Sequence, residues 1–86
     1  MITVRYKPSF LRQYKKLPDL LKDEVKEKIG LFKSNPDHHS LKTHKLKGHL
    51  KGCWSFSVNF AYQIVFFYED KNTVALLSVG NHDVYR

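Results

Sequence analysis

The sequence predicts an α+β fold, in which an N-terminal strand and a two-helix hairpin packed on a twisted antiparallel β-sheet form one unit. Three observations support this prediction: a short β-branched run at the start, two apolar stripes with helical spacing, and strand-like runs joined by short links. No repeat, low-complexity segment or linker interrupts the chain. Residues 1–86 are therefore predicted to form a single domain.

The first half of the chain is predicted to be one strand and two helices. Ile2–Tyr6 begins with β-branched residues, which suit a strand. Pro8 fits the first turn of a helix, where its missing N–H is not needed. Pro18 ends that helix, a second one starts at Asp19, and Asn35-Pro36 stops it. Within the first helix, Phe10, Leu11, Tyr14 and Leu17 form an apolar stripe, and Arg12, Gln13, Lys15 and Lys16 are expected to face solvent.

The second half of the chain is predicted to be a meander of strands. After a polar loop over residues 37–43, strand signals occur at about 43–47, 53–60, 62–69 and 73–80. Each link between them is short, whereas a parallel crossover needs a dozen or more residues. Consecutive strands are therefore predicted to pair antiparallel.

Alternation along the strands assigns side chains to two faces of the sheet. Trp54, Phe56 and Val58 share an apolar face, while Ser55, Ser57, Asn59 and Gln63 belong to a polar face. Because one face must lie on the helices, the polar face is expected to stay open to a ligand. The candidate core residues are Leu11, Leu21, Val25, Ile29, Phe32, Trp54, Phe56, Ile64, Phe66, Leu76 and Val79.

Composition favours a folded basic protein with an anionic partner. Fifteen Lys and Arg residues against eight Asp and Glu give a formal charge of +7, an excess typical of proteins that bind nucleic acid or acidic proteins. Cys53 is the only cysteine, which excludes an internal disulfide and a thiolate metal site. No apolar run reaches about 18 residues and no signal-peptide core is present, which predicts a cytoplasmic protein that does not act in a membrane.

Two histidines are candidates for acid–base chemistry. His82 follows Gly80-Asn81 at the end of the last strand, and His44 lies in the first strand of the meander. An imidazole titrates near neutral pH and can move the protons that RNA cleavage requires. The alternative for His82 is a surface histidine in a C-terminal turn. Tyr85 is either a stacking and phosphate-contacting aromatic or a packed anchor, and Arg86 is either frayed or a phosphate ligand.

A basic edge accompanies these histidines. Lys45, Lys47, His49 and Lys51 follow His44 through and just after the same strand. They suit an RNA backbone, although lysines also protect an edge strand from unwanted pairing, and this second interpretation is favoured for Lys45 and Lys51. The histidines lack the spacing of a zinc site, and His38-His39 is interpreted as a polar loop pair. No metal or other cofactor is expected.

The order of elements and three segments of the chain resemble the RelE/ParE superfamily of toxins from toxin–antitoxin pairs. These segments are His44–Gly48, Gly52-Cys53-Trp54 and Gly80–Tyr85. The resemblance covers nearly the whole chain and is greatest to the RelE and YafQ-type branches. Those branches are ribosome-dependent endoribonucleases that cut mRNA in the decoding site without metal. The resemblance implies a type II toxin that inhibits translation, with a cognate antitoxin and ribosome-bound mRNA as partners.

The resemblance also implies roles for individual residues. His44, His82 and Tyr85 match catalytic positions of the YafQ-type pattern. Candidates for RNA binding are Lys45, Lys47, His49, Lys51, Ser55, Ser57, Gln63 and Arg86. The chain departs from the pattern at Gln63, where most active members carry arginine, and at Ser55 and Ser57, where RelE-like members carry lysines. A neutral Gln63 cannot offset phosphate charge as a guanidinium does.

Two other functions remain open for this sequence. A ParE-like toxin has the same fold and acts by binding DNA gyrase, while a degenerate toxin would retain only antitoxin binding and autoregulation. In each case an acidic antitoxin segment is expected to cover the polar face or displace the terminal residues, drawn by the basic edge.

Overall fold

A computed structural model describes residues 1–81 of the chain, and it shows two helices packed against one five-stranded sheet. The strand order across the sheet is β1-β5-β4-β3-β2. The elements are β1 (Thr3–Tyr6), α1 (Pro8–Lys15), α2 (Asp19–Ser34), β2 (His44–Lys45), β3 (Trp54–Ser57), β4 (Tyr62–Asp70) and β5 (Thr73–Asn81). Short 3₁₀ turns lie at His39–Leu41 and Gly48–Leu50. The α+β fold with a helical hairpin is confirmed.

The pairing of β1 makes the sheet mixed rather than wholly antiparallel. The strands β2 to β5 form the antiparallel meander that the short links predicted. The first strand, however, joins the far edge of β5 in parallel, with Val4 opposite Val74. The rule about short links applies only to consecutive strands, and β1 and β5 are separated by most of the chain. Their relative direction could therefore not be read from link length.

Prolines set the boundaries of the helices, as predicted. Pro8 occupies the first turn of α1, and Pro18 is the N-cap of α2. Helix α1 ends at Lys15, two residues earlier than its apolar stripe suggested, because a residue that precedes proline is disfavoured in the helical region. Asp19 in the first turn of α2 and Lys33 in its last turn complement the helix dipole.

The core lies between the helices and the apolar face of the sheet. Of the predicted core residues, Leu21, Val25, Ile29, Phe32, Phe56, Ile64, Phe66, Leu76 and Val79 are buried. Trp54 is half-buried and packs against this cluster. The prediction was wrong for Leu11, which is 43% exposed, because the face of α1 that meets the sheet is centred on Phe10, 1% exposed. Successive helical residues differ by about 100° around the axis, so both could not face the sheet squarely.

Beyond its pairing with β1, strand β5 forms hydrogen bonds with Lys7 and with helix α1. The Lys7 N–H donates to the Leu76 carbonyl, and the Ser9 hydroxyl donates to the Leu77 carbonyl. The Gln13 side-chain oxygen accepts from the Val79 N–H at 2.8 Å, so this exposed glutamine is bound to the sheet. These bonds tie β5 to the start of the helical layer as far as Val79. No helix among residues 1–81 is long and apolar enough to cross a membrane.

Candidate functional site

The candidate site is a shallow cavity of about 150 Å³, here called the His44 pocket, on the sheet face opposite the helices. It lies where β2, the end of β3 and the start of β4 meet. Its lining residues are Lys42, His44, Ser57, Asn59, Phe60, Tyr62 and Gln63. The structure thus brings His44, Ser57 and Gln63, three of the residues predicted from sequence, to one place.

The His44 imidazole is held by a hydrogen bond at each ring nitrogen. Nδ1 lies 2.9 Å from the Lys42 carbonyl oxygen, and Nε2 lies 3.3 Å from Ser55 Oγ. A carbonyl oxygen can only accept, so Nδ1 must carry the proton and donate it. In the neutral ring the lone pair is therefore on Nε2, where it accepts from the Ser55 hydroxyl. The geometry fixes the tautomer that leaves Nε2 as the basic nitrogen.

A capped turn places the carbonyl that orients His44. His38 Nδ1 accepts from the Ser40 backbone N–H at 3.1 Å, capping the 3₁₀ turn His39–Leu41. Leu41 at the end of the turn is fully buried, which anchors it to the core. Lys42 then takes the left-handed conformation, with φ of 49°. This turn, which was predicted to be only a polar loop, directs the Lys42 carbonyl toward His44.

Two residues predicted to line an open face are in fact buried. Ser55 is fully buried and Gln63 is 5% exposed. For Ser55 the neighbours explain the burial, since it pairs with both His44 and Val65, and Val65 is itself 2% exposed. The polar face is therefore open only at its margin, where Ser57 and Asn59 are half-buried. The Ser55 hydroxyl instead contacts His44.

The predicted basic edge separates into two groups on opposite faces. Lys45 is paired with Trp54, and its ammonium lies 5.5 Å from the centre of that indole ring, on the helix side of the sheet. Lys45, Lys47 and Lys51 line a second cavity of about 450 Å³ with Leu46, Gly48 and Gly52, here called the lysine pocket. His49 is exposed in the turn Gly48–Leu50 and lines neither cavity. Strand β2 lies at the edge of the sheet, but His44 and Lys45 point to opposite faces because successive residues of a strand do so.

Three predicted site residues, His82, Tyr85 and Arg86, lie outside the described residues. The last described residue of β5, Asn81, pairs with Tyr62, and Tyr62 lines the His44 pocket. His82 is the next residue in the sequence. Its role stays a prediction.

Sequence reasoning missed three residues that line the His44 pocket, Lys42, Phe60 and Tyr62. Lys42 precedes His44 by two residues, but it adopts the left-handed conformation, so the alternation of an extended strand could not have placed it beside His44. No sequence signal marks Phe60 either, which falls at the end of the strand predicted at about 53–60. Its side chain is 95% exposed.

The histidine pair at 38–39 forms a separate polar cavity of about 250 Å³ with Pro36, Asp37, Lys42 and Thr43. The two imidazoles stack with ring centres 4.5 Å apart. Among residues 1–81, no group of three or more histidine, cysteine or acidic side chains is arranged to hold a metal ion.

A groove between α1 and α2 forms a further cavity, with a volume of about 300 Å³. Its lining residues are Tyr6, Phe10, Leu11, Tyr14, Lys26, Ile29, Gly30 and Lys33. Burial raises the pKa of the Tyr6 phenol, and the nearby Tyr14 raises it further. The Tyr14 hydroxyl is buried and finds no hydrogen-bond partner within residues 1–81. The groove therefore exposes apolar surface next to two lysines.

The sequence matches no protein-family model and no curated protein, but its fold matches solved structures closely. A chain of the toxin–antitoxin complex RelBE2 from Mycobacterium tuberculosis has a TM-score of 0.77 and 25% identity, covering 94% of this chain and 98% of that one. YafQ from E. coli has a TM-score of 0.78 and 17% identity, with 96% of each chain covered. A chain of the YoeB–YefM complex from Staphylococcus aureus has a TM-score of 0.73 and 21% identity, covering 95% of this chain and 98% of that one.

These neighbours match the chain over almost all of both lengths, with the two helices and the mixed sheet included. The chain therefore has the fold of the RelE/ParE superfamily of toxins, which confirms the resemblance found in its sequence.

Proposed function

We propose that this chain is the toxin of a type II toxin–antitoxin pair and that it inhibits translation by cutting mRNA in the ribosomal decoding site. One observation carries the proposal. The His44 imidazole is held at a pocket with its proton on Nδ1, so Nε2 is the basic nitrogen, and it would act as a base by exchanging its hydrogen bond from Ser55 for one from the substrate hydroxyl. The pocket is open to solvent on the sheet face that the helices leave uncovered.

The proposed reaction uses the RNA's own 2′-hydroxyl as nucleophile. Nε2 of His44 takes the proton of that hydroxyl, and its oxygen forms a bond to the adjacent phosphorus. The bond from phosphorus to the 5′ oxygen breaks, and an acid returns a proton to the leaving oxygen. The products are a 2′,3′-cyclic phosphate and a 5′-hydroxyl. This chemistry needs in-line positioning, proton transfer and charge relief, and none of these requires a protein nucleophile or a metal.

His82 is the proposed acid, and its sequence position supports that role. It follows Asn81, which pairs with the pocket residue Tyr62. Tyr85 is proposed to support the substrate by stacking or phosphate contact, and Arg86 to contact phosphate.

Charge relief is assigned to Lys42 rather than to Gln63. Gln63 is neutral and only 5% exposed, whereas Lys42 is an exposed cation that lines the His44 pocket. An ammonium beside the scissile phosphate offsets the charge that develops in the transition state. The lysine pocket, with Lys47 as the principal contact, is proposed to bind the RNA backbone farther along the strand.

The cognate antitoxin is the proposed protein partner, and toxin–antitoxin complexes among the structural neighbours support it. The groove between α1 and α2 suits an amphipathic segment, since Tyr6 and Leu11 are each 43% exposed there. Lys26 and Lys33 line the same groove, so acidic residues on that segment would meet complementary charge. An acidic segment on the groove would leave the His44 pocket uncovered unless it also extends across the sheet.

The tautomer of His44 tests the geometry without any assay of activity. Spectra of the imidazole nitrogens, recorded by NMR above the titration of the rings, should show the proton of His44 on Nδ1. His38 should show the opposite tautomer, because its Nδ1 accepts from the Ser40 N–H. A proton on Nε2 of His44 would contradict the proposed base.

Cleavage itself is tested by primer extension on mRNA from translating ribosomes, with EDTA present. His44→Ala should lower the cleavage rate about 10²–10⁴-fold, as loss of an acid–base group does, and His82→Ala should act similarly. The matched control is His39→Ala, because His39 is an exposed histidine outside the His44 pocket. Normal cutting by His44→Ala would refute the assignment. If the parent cuts no RNA but inhibits gyrase, the ParE-like function replaces this one.

A further inference from the structure

The turn between β3 and β4 presents an aromatic ring beside the His44 pocket. Phe60 is 95% exposed and lines this pocket together with His44. Single exposed apolar residues are common on protein surfaces, so exposure alone indicates nothing. The position of Phe60 and the rigidity of its turn are what require an explanation.

Hydrogen bonds fix the backbone on both sides of Phe60. The Asn59 side-chain oxygen accepts from the N–H groups of Ala61 and Tyr62, each at 2.8 Å. The Val58 N–H donates to the Tyr62 carbonyl at 2.9 Å, which closes the turn. Ser57 Oγ donates to the Asn59 carbonyl at 2.9 Å. The ring is thus carried on a preformed turn, so a ligand that stacks on it pays little to order the backbone.

The turn is also tied to the helical layer. Asn59 Nδ2 lies 3.3 Å from a carboxylate oxygen of Glu24 in α2. One asparagine therefore uses its oxygen to shape the turn and its amide nitrogen to fix the turn against α2. The position of Phe60 relative to His44 is set by the sheet and by this link.

We propose that Phe60 is a stacking platform for one base of the bound RNA, and that it positions the attached ribose at His44. This inference rests on the proposed function, since His44 is the base that the ribose would approach. Unpaired bases stack on aromatic side chains regardless of their identity. Lys42, which lines the same pocket, would then meet the phosphate of that nucleotide. The ligand class is single-stranded RNA with at least one unstacked base.

The test measures binding separately from cleavage. A single-stranded RNA oligonucleotide with 2′-O-methyl groups cannot be cut, and one fluorescent 2-aminopurine reports stacking as quenching. Phe60→Ala should weaken binding about 5- to 150-fold, the range that base–aromatic stacking supplies. Phe60→Trp should bind at least as well as the parent. Phe60→Leu should behave like Phe60→Ala, because it keeps an apolar side chain and removes the π face.

Leu20→Ala is the matched control, because Leu20 is another large apolar residue, 81% exposed, on α2 and outside the pocket. Both sites are exposed, so every variant should melt like the parent. If the parent binds and Phe60→Ala or Phe60→Leu binds equally well, the stacking inference is wrong, and the proposed cleavage stands. If binding depends on Phe60 but ribosomal mRNA stays intact, the stacking platform stands and the endoribonuclease proposal fails. A parent that binds no RNA overturns the stacking inference, and primer extension on ribosomal mRNA then decides the proposed function separately.

Discussion

Truncation of Phe66 is the most direct test of how the helices and the sheet share the core. Phe66 is fully buried in β4. Its ring contacts Phe32 of α2 with centroids 5.0 Å apart, and it also contacts Phe56 at 5.7 Å and Tyr68 at 5.6 Å. The side chain thus joins α2 to two strands. Phe66→Ala would remove these contacts and leave a cavity.

The expected loss of folding stability follows from the burial of Phe66. Truncating a buried phenylalanine to alanine costs about 3–5 kcal/mol, and the lost aromatic pairs favour the upper part of this range. A domain of this length loses about 4–8 °C in melting temperature per kcal/mol. We therefore expect the midpoint to fall by roughly 15–30 °C, a large fraction of the marginal stability of a small domain.

The assay is urea and thermal unfolding followed by circular dichroism, with the unfolding free energy taken from linear extrapolation. Leu11→Ala is the matched control, since Leu11 lies in the same predicted core set but is 43% exposed. It should cost less than about 1 kcal/mol. Equal losses for the two variants, or a Phe66→Ala protein as stable as the parent, would refute the placement of α1 and α2 on the sheet.

Three further predictions concern the groove and the pocket. The pKa of Tyr6 is raised in the folded protein, so as pH rises the unfolded chain loses the phenol proton first. The free energy of unfolding should therefore fall as pH rises from about 10 through the folded pKa. Tyr6→Phe should remove that part of the loss of stability at alkaline pH, as measured by thermal unfolding at several pH values. Lys42→Gln should lower ribosomal cleavage about 10²-fold or more, whereas Lys51→Gln, on the lysine pocket, should mainly weaken RNA binding and reduce its salt dependence. Similar cleavage rates for both variants would reject Lys42 as the source of charge relief. Leu11→Glu should weaken antitoxin binding measured by calorimetry, whereas Leu20→Glu should not. If the association rate of the parent did not change with salt concentration, electrostatic attraction would be contradicted.

Local signals in the sequence were sufficient for most of the fold. Pro8, Pro18 and Asn35-Pro36 bound the helices where the structure has them, because proline restricts its own backbone and that of its neighbour. Links of a few residues made the meander antiparallel. Alternation placed Phe56, Ile64 and Phe66 on the buried face. The sequence also singled out His44, which the structure places in a cavity with two hydrogen bonds.

Other features depended on contacts between distant parts of the chain. Strand β1 pairs with β5 in parallel, Ser55 is buried under neighbours from other strands, and Gln13 bonds to Val79 across the helix–sheet boundary. The pocket itself joins Lys42 and His44 to Phe60 and Tyr62.

The sequence by itself determined the local elements and their order and singled out His44 as a candidate, whereas the tertiary structure decided which side chains share a cavity and which are buried. The physical reason is the separation along the chain over which each kind of interaction acts. Backbone sterics and hydrogen bonds act within a few residues, so their effects can be read along the chain. Burial and proximity of side chains far apart in sequence arise only when helices and strands pack, and this packing made Lys42 a pocket residue and put Lys45 over Trp54 on the other face.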